Sequence, residues 1–172
     1  MFSRILFTAA LTSLANADGG GLGPEDKANY PRWADAMDYE GYTWEPYQTV
    51  TEDGWHLSLL RITGRVNGKS SAEKHSTPVL IVHGLTMSAK SWIHDHKDPI
   101  WPLLLVDRGY DVWMASSRGT TYSNYNDKDG QWSDEDRWDF CWADMGKYDQ
   151  PANIKKILEV TGKERVTYIG FS

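Results

Sequence analysis

The sequence predicts an α/β fold: a mostly parallel, doubly wound sheet preceded by a β-hairpin. Three observations carry that expectation. Val79-Leu80-Ile81-Val82 is an unbroken aliphatic run between Pro78 and Gly84, the pattern of a strand covered on both faces. From there on, helix-period and strand-period segments alternate as far as Ser172, and alternation of this kind sets parallel strands side by side with helices over both faces. With 172 residues the chain can bury one core but hardly two.

Residues 1–17 read as a secretory signal peptide. Arg4 supplies the positive start, residues 5–15 an apolar stretch and Ala15-Asn16-Ala17 a small-x-small cleavage site. The stretch falls short of the roughly 20 apolar residues a membrane span needs. Residues 18–41 are Gly-rich, then polar and aromatic with Pro31 breaking them; an irregular leader with room for one helical turn is expected.

The domain proper is expected over residues 42–172. Residues 45–63 read as a hairpin, with the turn at Glu52-Asp53-Gly54 and Trp55, Leu57, Leu59, Leu60 and Ile62 on the return strand. Residues 64–77 form a polar surface loop. After the aliphatic strand, Ser88 can cap a helix over residues 88–93, and residues 102–108 suggest another, closed by Gly109. Residues 110–114 make the next strand. Residues 120–139 are polar, aromatic and turn-rich, without a clear period. Asp149 is expected to cap a helix with Pro151 in its first turn, Ile154, Ile157 and Leu158 on one face, and Gly162 as terminator. Val166, Tyr168 and Ile169 form the last strand.

Composition excludes some functions. A net charge of −6 gives no basic face for a nucleic-acid partner. Cys141 is the only cysteine, so disulfides cannot hold the fold, and a buried, inert thiol is expected. Gly68-Lys69-Ser70 is not a phosphate loop, because position 63, where that motif needs glycine, is Thr63. His94-Asp95-His96 is too sparse a set for a metal site. No cofactor, metal or protein partner is expected.

The chemistry gathers at strand ends. The last strand stops at Gly170-Phe171-Ser172, the start of a sharp turn that exposes a serine, with Gly170 letting the chain turn. The triplet alone has little weight, since Gly-x-Ser recurs at Gly68-Lys69-Ser70. What precedes it supplies the weight. The aliphatic strand delivers His83-Gly84-Leu85 to its carboxyl end, where open α/β sheets place their ligands.

Together these pieces resemble the acid lipase family of α/β-hydrolases, the gastric and lysosomal lipases, from about Tyr42 to Ser172. The matching residues are Val50-Thr51-Glu52-Asp53-Gly54, His83-Gly84-Leu85 with Ser91-Trp92, Gly109-Tyr110-Asp111-Val112-Trp113, and Ser117-Arg118-Gly119. Asp144-Met145, Lys147-Tyr148-Asp149 and Pro151-Ala152 follow, before Tyr168-Ile169-Gly170-Phe171-Ser172. The resemblance implies an α/β-hydrolase fold and Ser-His-Asp acyl-enzyme chemistry on triacylglycerol or sterol esters at a lipid–water interface, in a protein that is secreted or held in a lysosomal or vacuolar lumen. It implies that Ser172 is the nucleophile and that Leu85 lends a backbone N–H to the oxyanion hole. His83 and Gly84 would shape the substrate-binding mouth, and Arg118 would be a structural hydrogen-bond hub. In this fold the triad acid and base follow the nucleophile, so His83 is not the base. The chain is therefore expected to be an N-terminal part, inactive by itself; the alternative is a catalytically dead lipid-binding protein.

Overall fold

The computed structural model describes residues 25–68, 77–93, 99–131 and 133–172. The signal peptide, most of the surface loop after the hairpin and His94-Asp95-His96 lie outside the described residues.

The described part of the leader, from residue 25 on, is more ordered than expected. Helix α1 spans Pro31–Glu40 and buries Trp33, Ala36 and Met37. Pro31 does not break the segment but sits in the first turn, where its fixed φ and missing N–H cost nothing. Gly41 ends the helix in the left-handed region, at φ 75°.

Strands β1 (Tyr42–Val50) and β2 (Trp55–Arg65) then form the expected hairpin, longer at both ends. They pair antiparallel from Tyr42↔Arg65 to Val50↔His56, with a bulge between Thr43 and Trp44. Gly54 closes the turn at φ 91°, and the Thr51 hydroxyl accepts the Trp55 N–H at 2.9 Å.

Strand β3 (Val79–Val82) and strand β4 (Val112–Ala115) are parallel, and helix α2 (Trp101–Asp107) connects them. The segment expected as a helix after Ser88 is a single 3-10 turn, Ala89–Trp92. The irregular excursion contains a two-residue strand β5 (Tyr125–Asn126), paired to β2, and a short helix α3 (Asp134–Trp138).

Helix α4 (Trp142–Asp144) runs through a π turn (Met145–Asp149) directly into helix α5 (Gln150–Thr161). Asp149 is thus interior to a continuous helical segment rather than its cap, and its carboxylate makes no capping bond. Gly162 stops α5 at φ 66°, as expected. Strand β6 (Thr167–Gly170) follows, parallel to β3.

The sheet order is β1-β2-β4-β3-β6, with β2 antiparallel to β4 and the strands from β4 to β6 parallel. Side-chain alternation explains the two-sided burial. Val79, Ile81, Val112 and Met114 face one core layer with Trp33 and Met37 of α1 and Leu103 and Val106 of α2. Leu80, Val82, Trp113 and Ala115 face the other, with Ile157 of α5. Each fully buried Leu, Ile or Val contributes ~1.5–3 kcal/mol, so β3 and β4 anchor the sheet. Strand β6 forms its other edge, largely exposed.

The chain goes from β3 to β4 on one side, then back past β3 to β6 on the other. The carboxyl end of β3 is therefore the point where the winding reverses, and a crevice opens there.

Candidate active site

Three segments meet at that crevice: the loop after β3, the loop after β4, and the end of β6. They line a cleft of about 960 Å³. Trp138 from the polar excursion, Phe140 just after it, Trp142 of α4 and Met145 of the π turn add an apolar wall. Nothing in the period of residues 120–139 marked Trp138 as part of a wall; only the path of the chain puts it there.

Ser172 is held in an unusual conformation. Its φ is 58°, and among the described residues only Thr86 is another non-glycine in that region, at φ 64°. Such a conformation costs of order 1–3 kcal/mol and persists only where the surroundings impose it. Gly170, expected to supply the turn, is not among the positive-φ glycines; the serine itself adopts the left-handed state. The Phe171 N–H donates to the Val82 carbonyl at 3.2 Å, which extends the β3–β6 pairing to the residue before Ser172.

Gly84 has a steric role. A Cβ built there would lie 2.9 Å from Phe171 Cδ1, 3.2 Å from the Phe171 carbonyl oxygen and 3.2 Å from Ser172 Cβ. The loop carrying Leu85 therefore approaches the serine so closely that a Cβ at position 84 would oblige its neighbours to shift by a few tenths of an ångström. Leu85 lies on the cleft wall and is 62% exposed.

His83 lines the same cleft but is buried. Its Nε2 accepts the Ser117 N–H at 3.0 Å, and its Nδ1 lies 2.8 Å from the Gly84 carbonyl. Those two bonds require the neutral tautomer with the proton on Nδ1. Burial pushes the imidazole pKa below its ordinary value, against the pull of the Gly84 carbonyl. Both ring nitrogens are thus committed within the protein.

Arg118 is the hub its sequence context implied. Its Nε donates to Asp149 Oδ1 at 2.8 Å, its Nη1 and Nη2 to the two Asp53 oxygens at 2.6 and 2.9 Å, and its backbone N–H to Asp149 Oδ2 at 3.0 Å. The Trp55, Phe140 and Tyr148 rings lie 5.5–5.8 Å from the guanidinium carbon. Only 1% of the Arg118 side chain is exposed, so its charge is spent on the two carboxylates, not offered to a ligand. Burial tends to raise the Asp53 carboxyl, but the hydrogen bonds from Arg118 and Thr51 outweigh it and hold the pKa down. For Asp149, wholly buried, desolvation wins over the pull of Arg118 and raises the pKa.

Cys141 is exposed, not buried. It stands immediately before α4, where its N–H donates to Asp144 Oδ2 at 2.9 Å, and it belongs to neither core layer.

A left-handed serine thus stands at the carboxyl end of a parallel strand, facing a glycine-tight loop at the reversal point of the sheet. The chain belongs to the α/β-hydrolase family: residues 77–172 match the α/β-hydrolase fold model, and residues 33–96 match that of the partial α/β-hydrolase lipase region. Within the family it is similar to the acid lipases. It is 36% identical over 170 residues to the gastric triacylglycerol lipase of Rattus norvegicus, covering 98% of this chain and 42% of that protein. It is 36% identical over 160 residues to the lysosomal acid lipase/cholesteryl ester hydrolase of Homo sapiens, covering 92% and 39%. The chain thus spans about two fifths of the length of these relatives. An esterase of Pyrococcus furiosus shares the fold, with a TM-score of 0.52 at 18% identity over 78% of this chain and 44% of that one.

Proposed function

We propose that the whole protein is a serine ester hydrolase acting on neutral lipid esters, triacylglycerol or sterol ester, and that this chain carries its nucleophile and half of its oxyanion hole. The observation that carries the proposal is the strained backbone of Ser172, at φ 58°, directly against the Gly84-Leu85 loop. Strain of this kind is retained where an exposed side chain must stand clear of its neighbours. The two relatives' names, gastric triacylglycerol lipase and lysosomal acid lipase/cholesteryl ester hydrolase, support the substrate class. Entry into the secretory pathway, with cleavage before Asp18, and residence outside the cell or in a lysosomal or vacuolar lumen belong to the same proposal.

Ser172 Oγ attacks the ester carbonyl carbon while its proton passes to a histidine base. The carbonyl π bond becomes an oxyanion, which accepts the Leu85 N–H and the N–H of the residue following the nucleophile. Collapse breaks the C–O bond to the alcohol, which leaves with the base's proton, and water then releases the fatty acid from Ser172 by the reverse sequence. Neither histidine among the described residues is placed to act as that base. His83 has both ring nitrogens engaged, and His56, which pairs with Asp127 at 2.7 Å, does not line the cleft.

The test is Ser172→Ala in the whole protein. Ester hydrolysis and fluorophosphonate labelling should both vanish while thermal stability stays near wild type. Retained turnover, or a label recovered on another residue, would remove Ser172 from the role.

A further inference from the structure

A continuous series of hydrogen bonds joins the buried charge cluster to the loop carrying Leu85. Asp53 and Asp149 hold the Arg118 guanidinium, and Asp149 also takes the Arg118 backbone N–H. That fixes the peptide chain at Ser117, whose N–H donates to His83 Nε2. The His83 Nδ1–H in turn donates to the Gly84 carbonyl, part of the peptide unit whose nitrogen belongs to Leu85. Every link is short, and Ser117, Arg118, His83 and Asp149 are all buried.

We propose that Arg118, anchored by Asp53 and Asp149, is a positioning residue for ester hydrolysis: through Ser117 and His83 it sets the direction of the Gly84–Leu85 peptide and so of the Leu85 N–H. The inference rests on the reading of Leu85 as an oxyanion donor. Its physical basis is that one peptide unit carries both ends of the arrangement. A hydrogen bond to the Gly84 carbonyl limits rotation of the plane in which the Leu85 N–H lies. The imidazole is rigid and uses both nitrogens, so it transmits the placement of one loop to the other. Arginine suits the anchor because its planar fork grips Asp53 with two nitrogens while Nε holds Asp149; a lysine has one point of attachment. The sources of the anchor are distant in sequence: the hairpin turn, the loop after β4 and the π turn. Asp149 reaches Arg118 because the helix does not begin at that residue.

The experiment uses the whole protein with Arg118→Lys and, as a milder perturbation, Asp53→Asn, which leaves the Arg118–Asp149 pair intact. Active sites are counted by fluorophosphonate titration at Ser172. Then kcat and KM for a short-chain soluble ester, and Ki for a trifluoromethyl ketone that forms a tetrahedral adduct, are measured per titrated site. Arg118→Lys should lower kcat about tenfold and raise Ki by a similar factor with KM within about twofold, since only transition-state contacts weaken. Asp53→Asn should move kcat and Ki together by about threefold. A purely structural role would reduce the number of titratable sites and leave kcat and Ki per site at wild-type values, which overturns the proposal. A parallel rise of KM and Ki also overturns it, because general substrate binding would then be at fault. If Arg118→Lys yields no folded protein, unchanged kcat and Ki in Asp53→Asn is the refuting result. Failure of titration at Ser172 in the wild type would instead remove the underlying assignment of the nucleophile.

Discussion

Gly84→Ala tests the approach of the Leu85 loop to Ser172. The backbone at Gly84 is not in the left-handed region, so alanine brings no torsional strain, and the effect is purely steric. The new methyl would meet Phe171 Cδ1 at 2.9 Å, which the ring can relieve by turning. It would also meet the Phe171 carbonyl and Ser172 Cβ, both at 3.2 Å, and those are fixed by the backbone. The Phe171 N–H is itself tied to the Val82 carbonyl, so the two loops must part by a few tenths of an ångström. Overpacking of this kind costs ~1–3 kcal/mol, a fall of roughly 2–10 °C in Tm for a domain of this size. A misplacement of about 1 Å can cost ~100-fold in rate, so a shift of a fraction of that should lower kcat about tenfold. Thermal denaturation and kcat per titrated active site, in the whole protein, are the measurements. Leu85→Ala is the control: its side chain is exposed and its N–H survives, so kcat should stay within about twofold. Wild-type Tm and kcat in Gly84→Ala would refute the close approach, and with it the juxtaposition of the loop and Ser172.

Other outcomes follow from particular residues. Ser172→Gly should raise stability by about 1 kcal/mol, because glycine takes φ 58° without the Cβ penalty, while abolishing hydrolysis; an unchanged or lower denaturation midpoint would show that the serine is unstrained. His83 should stay neutral, with its proton on Nδ1, below pH 6.5, its ordinary pKa. Because its folded pKa is depressed, its contribution to stability is complete above that pH and is lost as pH falls through the folded value. Imidazole nitrogen shifts followed by NMR would show this, and protonation at or above pH 6.5 would contradict it. Cys141, exposed at the start of α4, should react stoichiometrically with a thiol reagent in the folded protein within minutes; protection until unfolding would contradict its placement.

The local elements and their order are legible in the sequence. Aliphatic runs, helix-period spacing and glycines at helix ends are written over a few consecutive residues, so the hairpin, β3, β4, α5 and β6 could be read where they lie. The positions of His83-Gly84-Leu85 and Ser172 at strand ends followed from the same local pattern. Misreadings arose where a neighbour distant in sequence made the choice. Pro31 breaks or begins a helix according to what precedes it, and the burial of Trp33 and Met37 against the sheet settled it as a beginning. Asp149 looks like a cap because capping is a local rule, but the helix extends upstream and the carboxylate turns to Arg118 instead. Cys141 is apolar enough to be buried, yet its segment runs along the surface. Arg118 grips Asp53 across 65 positions, and Gly84 meets Ser172 only because β3 and β6 are adjacent in the sheet. Periodicity is a property of one segment and survives in the sequence; close approach is a property of two, and only the tertiary structure brings them together.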